Sequence, residues 1–252
     1  MKIVVGGLIY HIQSKGGISR LYNEILPRMC DLDKSLWITL VTHGRLRQVL
    51  PKHPHIIHRA IPRVQRYMRP RRVWRPVVPW VQQLVCRLWI GRGEGRVWHS
   101  TYYNILPEKW DGMYVVTVVD MIHERFANLH NRPGDERFRE QKRRSVLAAD
   151  IVICISESTR EDVQWFYGID DARIQVVLLA CSDVFRPLEY DDCSARPPTD
   201  RPFLLYVGLR VHYKNFGGLI RAYSAWPGRE EVDLVVVGEN WSVDEEQHLV
   251  KL

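Results

Sequence analysis

Short apolar runs, each followed by a loop and then a stretch of helical periodicity, recur along this chain and leave few folds open to it. Lys2 to Leu8 is a strand signal, and residues 9–17 form a loop ending in Gly16-Gly17. Ile18, Leu21, Tyr22, Ile25, Leu26 and Met29 then fall on one face of a helix. Pro27 is expected to kink or shorten that helix, because proline lacks an amide donor. Leu36 to Thr42 is the second strand. A chain that opens β-loop-α-β builds a parallel sheet, since parallel neighbours need a crossover and a helix supplies it.

The pattern continues along the chain. His55 to Ala60 is a third strand, and residues 63–79 form an exposed connection rich in proline and arginine. Trp80 to Ile90 is a helix with Val81, Leu84, Val85 and Leu88 on one side. Arg96 to Ser100 is a short strand, and Tyr114 to Val119 is a strand that ends on Asp120. Asp135 to Ala149 is a charged helix and Ile151 to Ile155 a buried strand. Ser156 is placed to cap the following helix, and Arg173 to Leu178 is another strand.

Residues 187–201 gather prolines and acidic residues and form a linker. The pattern then restarts. Phe203 to Val207 is a strand, Gly208 to Asn215 a loop, Phe216 to Ala225 a helix and Val232 to Val237 a strand. Gly238-Glu239-Asn240 turns, and a helix begins near Val243. The expectation is an α/β chain: a Rossmann-like parallel-sheet domain over 1–186, the linker, and an incomplete second Rossmann-like domain over 202–252. Two units of a doubly wound sheet cover little apolar surface and leave edges open.

Composition excludes several classes. An apolar content of 46% over 252 residues, without repeats or low-complexity tracts, indicates a folded globular chain. The first apolar run is too short for a signal peptide, and no stretch is long enough to span a membrane. A cytoplasmic protein is expected. Five dispersed cysteines argue against a disulfide framework or a zinc knuckle, and Cys154, inside Ile-Val-Ile-Cys-Ile, suits core packing. His53, His55 and His58 lack an accompanying carboxylate or cysteine, and alternation along a strand accounts for the first two, so no metal site is expected.

The net charge of +7 is unevenly placed: Lys34 to Arg92 holds 13 Lys or Arg and no Asp or Glu. Such a bias favours an anionic partner. Arg69, Arg71, Arg72, Trp74 and Arg75 combine cations with an indole, as an interfacial surface does, so an anionic membrane surface is preferred to nucleic acid. No helix-turn-helix, RNP-like strand or zinc module supports nucleic-acid binding, and a solvated loop is the plain alternative.

Three positions sit where a parallel sheet places ligands, beyond the carboxyl ends of strands. Gly16-Gly17 precedes a long helix whose N-terminus offers free N–H groups to a diphosphate, although an ordinary turn has the same sequence. Asp120, with His123 three residues on, could orient or deprotonate a hydroxyl; the alternatives are a turn cap and a surface histidine. Arg210 and Lys214 follow Gly208 between a strand and a helix, and two fixed cations there can neutralise a leaving diphosphate. The glycine spacing is not that of a Walker loop.

Six segments occur in one order along the chain: GGISRLYNEI (16–25), HSTYYNILP (99–107), VVTVVDMIHERF (115–126), ADIVICISESTREDV (149–163), IQVVLLACSDVFRP (174–187) and FLLYVGLRVHYKNFGGLIRAYS (203–224). Together they resemble the family 4, group 1, retaining GT-B glycosyltransferases. The resemblance implies two Rossmann-like domains, the first receiving a glycan or lipid-linked acceptor and the second a nucleotide-diphosphate sugar. It implies no cofactor and no metal. Arg210 and Lys214 would hold the donor phosphates, with the Gly17 N–H near them from across a cleft, and Asp120 would contact sugar or acceptor. Ser156 matches a serine whose role is structural. The chain departs from the pattern at Val119, where many relatives have histidine. The family's two glutamates, seven residues apart, are not matched by Glu239, Glu245 or Glu246. The resemblance therefore also allows a truncated, non-catalytic module or a chain completed by a partner. Cell-surface polysaccharide or lipopolysaccharide synthesis, on the inner face of the membrane, is the implied setting.

Overall fold

The computed structural model describes residues 1–14, 16–62, 76–90, 96–103, 110–129, 134–186, 198–210, 212–238 and 240–241. They fall into two units, Met1–Ala127 with Asn131–Ser182, and Asp183–Leu252 with Asn128–His130.

The first unit is built on a seven-stranded sheet. Its strands are β1 (Lys2–Gly6), β2 (Trp37–His43), β3 (Ile56–Ile61), β4 (Val97–Ser100), β5 (Met113–Val118), β6 (Ile151–Cys154) and β7 (Ile174–Val176). Their order is β3-β2-β1-β4-β5-β6-β7, and all neighbours run parallel. The helices are α1 (Ile9–Ile12), α2 (Gly17–Leu32), α3 (Val78–Ile90), α4 (Ile122–Arg125), α5 (Asp135–Ala148) and α6 (Glu157–Tyr167).

Side-chain alternation divides the core in two. Ile3 and Val5 of β1 point to one face, where they meet Tyr22, Leu26 and Cys30 of α2. Val4 points to the other, where Val116, Val118, Val152 and Cys154 meet Val146 of α5 and Val163 of α6. Burial on both faces explains the near-continuous apolar runs of β1 and β5.

The structure corrects three local expectations: Pro27 does not shorten α2, residues 9–12 are helical, and Leu84 and Leu88 are exposed. Pro27 lies inside α2, which runs unbroken to Leu32. The buried face continues through Leu26 and Cys30, and that packing outweighs one missing amide bond. Residues 9–12, expected as loop, form α1 because Ile9 and Tyr10 are fully buried. On α3, Leu84 and Leu88 were assigned to the same side as Val85, yet they are 55% and 75% exposed while Val85 packs against the core.

The second unit contains β8 (Phe203–Val207), α7 (Phe216–Ala225) and β9 (Asp233–Val237), with β8 and β9 parallel. Among its described residues, Phe216 and Ile220 are the buried apolar ones. Residues 187–197 of the expected linker, and the helix expected near Val243, lie outside the described residues.

Candidate functional sites at the strand ends

Crossovers lead from β1 to β2 on one side and from β4 to β5 on the other, so the sheet's switch point lies between β1 and β4. A doubly wound sheet opens a crevice at the carboxyl ends of such strands. Here the segment after β4 is tied to β1: Thr101 donates from N and Oγ1 to the Gly6 carbonyl, at 3.2 and 2.5 Å. Tyr103, two residues on, has φ of 47°, a left-handed value uncommon for a bulky residue. The Gln141 amide of α5 donates to its carbonyl at 2.9 Å. Its ring packs with Tyr102 and Phe138. The left-handed turn is thus held from two sides.

Beyond β5 lie the expected Asp120 and His123. Asp120 accepts from the Ile122 amide at 3.2 Å through Oδ1, closing a turn at the entry to α4, and it is half-buried. This is the turn-cap geometry; among the described residues its other oxygen has no partner. His123 packs at a tilt against Phe138, with ring centroids 4.6 Å apart and an interplanar angle of 54°.

Beneath this loop is a group that the sequence reading did not single out. Lys142, 1% exposed, sends its ammonium to the Asp120 carbonyl and to Glu124 Oε2, each at 2.7 Å. The Tyr167 hydroxyl donates to Glu124 Oε1 at 2.6 Å. Arg125 pairs with Asp162 of α6, with Nε to Oδ2 at 2.6 Å. Burial lowers the Lys142 ammonium's pKa below the usual lysine range, against the opposing pull of Glu124. Burial raises the Tyr103 phenol's pKa well above its ordinary value, with Asp120 the next cause. Lys142 had a signal in the sequence. It lies four residues after Phe138 and four before Val146, both on the face of α5 that packs on the sheet.

Gly16 and Gly17 stand at the N-terminus of α2. Gly16 is extended, with φ of 173°, and Ser19 Oγ donates to its carbonyl at 3.0 Å. The Ser19 amide is satisfied by Gln13 Oε1 at 3.1 Å. A Cβ added at Gly17 would meet nothing within 4 Å, so neither packing nor backbone demands glycine there. At Gly16, by contrast, the Gln13 side chain lies 2.5 Å from where a Cβ would stand.

In the second unit, Gly208 follows β8 with φ of 145°, and its amide bonds to the Val237 carbonyl at 2.9 Å. The strand ends approach so closely that a Cβ on Gly238 would lie 2.3 Å from the Gly208 carbonyl oxygen. Lys214 reaches back over this junction, its Nζ 2.8 Å from where a Gly208 Cβ would stand. Arg210 donates to the Asn240 carbonyl at 2.8 Å, and its guanidinium lies 4.1 Å from the centroid of the Trp241 ring. The two expected cations therefore stand at the carboxyl ends of β8 and β9. Trp241, the aromatic plate under Arg210, was not anticipated.

Other expectations resolve differently. His53 and His55 precede β3 and do not alternate along it: His53 Nδ1 accepts from the His55 amide at 3.0 Å, and His55 stacks on Trp37 at 4.6 Å. His58 bonds to the Pro51 carbonyl. Among the described residues no cluster of three or more His, Cys, Asp or Glu could hold a metal. Cys154 is fully buried, and burial pushes its thiol pKa up to about 11, as a core residue. Ser156 caps α6, accepting from the Thr159 amide at 3.1 Å. His99, unremarked within its segment, pairs with Thr117 Oγ1 at 2.8 Å and meets the Tyr22 ring edge-on; burial lowers its pKa to about 4. Arg69, Arg71, Arg72, Trp74 and Arg75 lie outside the described residues, as do Cys193 and Glu239.

These features define an α/β protein with a doubly wound parallel sheet and candidate ligand positions beyond strand carboxyl ends. The model of one family, described as Glycosyltransferase Family 4, matches residues 16–179, more than half of the 252. The chain belongs to Glycosyltransferase Family 4, and its fold is of the GT-B type. Comparison with curated proteins found no match. Similar solved structures include Arabidopsis thaliana UGT89C1 complexed with quercetin, at 11% identity and a TM-score of 0.47, covering 96% of this chain and 70% of that one. The same protein complexed with UDP-L-rhamnose gives 11%, 0.46, 96% and 69%. LpCGTa in complex with UDP gives 10%, 0.44, 96% and 71%. At such identities and TM-scores the likeness carries no information on donor or acceptor.

Proposed function

We propose that the protein is a retaining glycosyltransferase. It transfers a sugar from a nucleotide-diphosphate sugar to a glycan or lipid-linked acceptor, in cell-surface polysaccharide or lipopolysaccharide synthesis. The observation that carries this reading is the placement of Arg210 and Lys214 at the carboxyl ends of β8 and β9, in a chain of this family. Charge builds on the diphosphate as it leaves, and fixed cations stabilise it without a metal. The Gly16-Gly17 end of α2 would offer N–H donors to an anionic group. Asp120 would contact sugar or acceptor through its unpaired oxygen, with His123 beside it for proton transfer.

Calorimetry with nucleoside diphosphates and a transfer assay with nucleotide sugars test the reading. Arg210→Ala and Lys214→Ala should each weaken diphosphate binding about 10- to 100-fold, the loss of one charge-assisted bond. Unchanged affinity in both variants would refute the phosphate assignment.

The membrane part of the proposal draws on α3. Trp80, Leu84 and Leu88 repeat at helical spacing and are 73%, 55% and 75% exposed, within the segment that lacks acidic residues. Peripheral attachment to the inner face of the membrane would place a lipid-linked acceptor within reach. Trp80→Ser with Leu88→Ser should reduce flotation with anionic vesicles; salt-sensitive DNA or RNA binding instead would point to nucleic acid.

A second reading, a non-catalytic phosphate-binding module or one part of a split enzyme, draws on β8, whose Leu205 and Val207 are 57% and 66% exposed. Diphosphate binding without any sugar transfer would favour it.

A further inference from the structure

We propose that Lys142 is a positioning residue for the carboxylate beyond β5: its buried ammonium anchors the Asp120 loop and so sets where Asp120 meets the substrate. The inference rests on the reading of Asp120 as a substrate-contacting group.

The geometry accounts for the ammonium's donors. One goes to the Asp120 carbonyl and one to Glu124 Oε2, each at 2.7 Å, while the Tyr103 ring lies 5.6 Å from Nζ. Asp120 is therefore held through its carbonyl by Lys142 and through Oδ1 by the Ile122 amide, which leaves one carboxylate oxygen for a ligand. The far end of the loop is held from α6, by Tyr167 on Glu124 and by Asp162 on Arg125. The neighbouring residue on α5, Gln141, ties down the left-handed turn at Tyr103. One turn of α5 thus fixes the loops beyond β4 and β5 together.

Packing alone does not call for a lysine here. An apolar side chain of similar length would fill the site without the desolvation cost of an ion pair, and such replacements are often neutral or stabilising. What an apolar chain cannot do is bond to the Asp120 carbonyl. Catalytic groups must be held to within a fraction of an ångström, and buried polar partners beneath them provide that restraint.

The test is a set of variants. Lys142→Met combined with Glu124→Leu and Tyr167→Phe removes the buried pair together with the hydroxyl bonded to it and leaves neither charge stranded. Its melting temperature should stay near that of the parent. Hydrogen exchange at the Ile122, Glu124, Arg125 and Phe126 amides should rise about 10-fold or more as the loop opens locally. Transfer kcat should fall about 100-fold with donor KM unchanged, the pattern of a misplaced transition-state contact. Tyr167→Phe, which keeps the ammonium on both Glu124 and the Asp120 carbonyl, should retain kcat within a few-fold of the parent. A folded triple variant with parental kcat and exchange would overturn the proposal, as would a Tyr167→Phe variant as impaired as the triple one. Should the parent transfer no sugar at all, the functional reading fails by itself. Exchange then judges Lys142 alone: acceleration supports the anchor and its absence refutes it.

Discussion

Strands β5 and β8 are both runs of large apolar and aromatic residues, MYVVTV and FLLYV, and their surroundings could hardly differ more. Five of the six residues of β5 are buried, and none of the five in β8 is. β5 has a parallel neighbour on each side, with α5 and α6 against one face. β8 has β9 as its described neighbour and meets α7 where the Tyr206 ring packs against Phe216. A two-sided apolar strand is written for a sheet with both faces closed. The second unit therefore carries a sequence suited to more burial than its described residues provide. The first unit meets its requirement fully enough to bury an ion pair. The contrast separates what stabilises the chain from what it exposes for use.

The largest expected effect is in the first unit. Lys142→Met alone strands Glu124 in the core and should cost about 3–5 kcal/mol, read from urea unfolding. A loss under 1 kcal/mol would mean that the pair is wetter than the geometry implies.

The strand comparison itself can be broken with two leucines. Leu26, fully buried on α2, should cost about 2–5 kcal/mol as Leu26→Ala. Leu205, 57% exposed on β8, should cost about 0.5 kcal/mol or less as Leu205→Ala. Equal losses would show that the β8 face is covered in solution, and repeating the melts over a range of protein concentrations would tell a second copy from cover within the chain.

Acid should act through His99. Its folded pKa is about 4 against an ordinary 6.5, because burial disfavours the cation. As pH falls below 6.5 the unfolded chain takes up a proton that the folded chain refuses. Stability is thus complete above 6.5 and is lost progressively down to about 4, by at most about 3 kcal/mol. The loss from this group does not grow below that. His99→Gln should flatten this part of the pH–stability curve, and an unchanged slope would assign it to other groups.

The ease of reading the strands follows from periodicity. Each of the nine described strands overlaps an apolar run, and the restart at Phe203 marks the second unit. Elements fixed by tertiary packing were less visible. α1 forms because Ile9 and Tyr10 are buried, and α2 survives Pro27 because its apolar face continues. Of the candidate site, Arg210, Lys214 and Asp120 were visible as chemistry after a strand. Trp241 and Tyr103 matter through neighbours that only folding brings together, and no local pattern announces them. Lys142 is the instructive omission. Counted among the charges of α5 it looks solvated, whereas its spacing from Phe138 and Val146 puts it inside.

The smallest prediction concerns helix starts, where the two units differ again. Ser156 accepts from the Thr159 amide and caps α6, so Ser156→Ala should cost about 1 kcal/mol. Asn215 precedes α7 with φ of 50° and makes no side-chain capping bond. Its contribution is tolerance of a left-handed backbone, which glycine supplies without a side chain. Asn215→Gly should therefore change stability by no more than a few tenths of a kcal/mol, since the strain it relieves is set against added freedom in the unfolded chain. Thermal melts of the two variants side by side measure the difference. A loss at Asn215 as large as that at Ser156 would mean that the asparagine side chain braces the start of α7. The loop carrying Arg210 and Lys214 would then be held by more than its backbone.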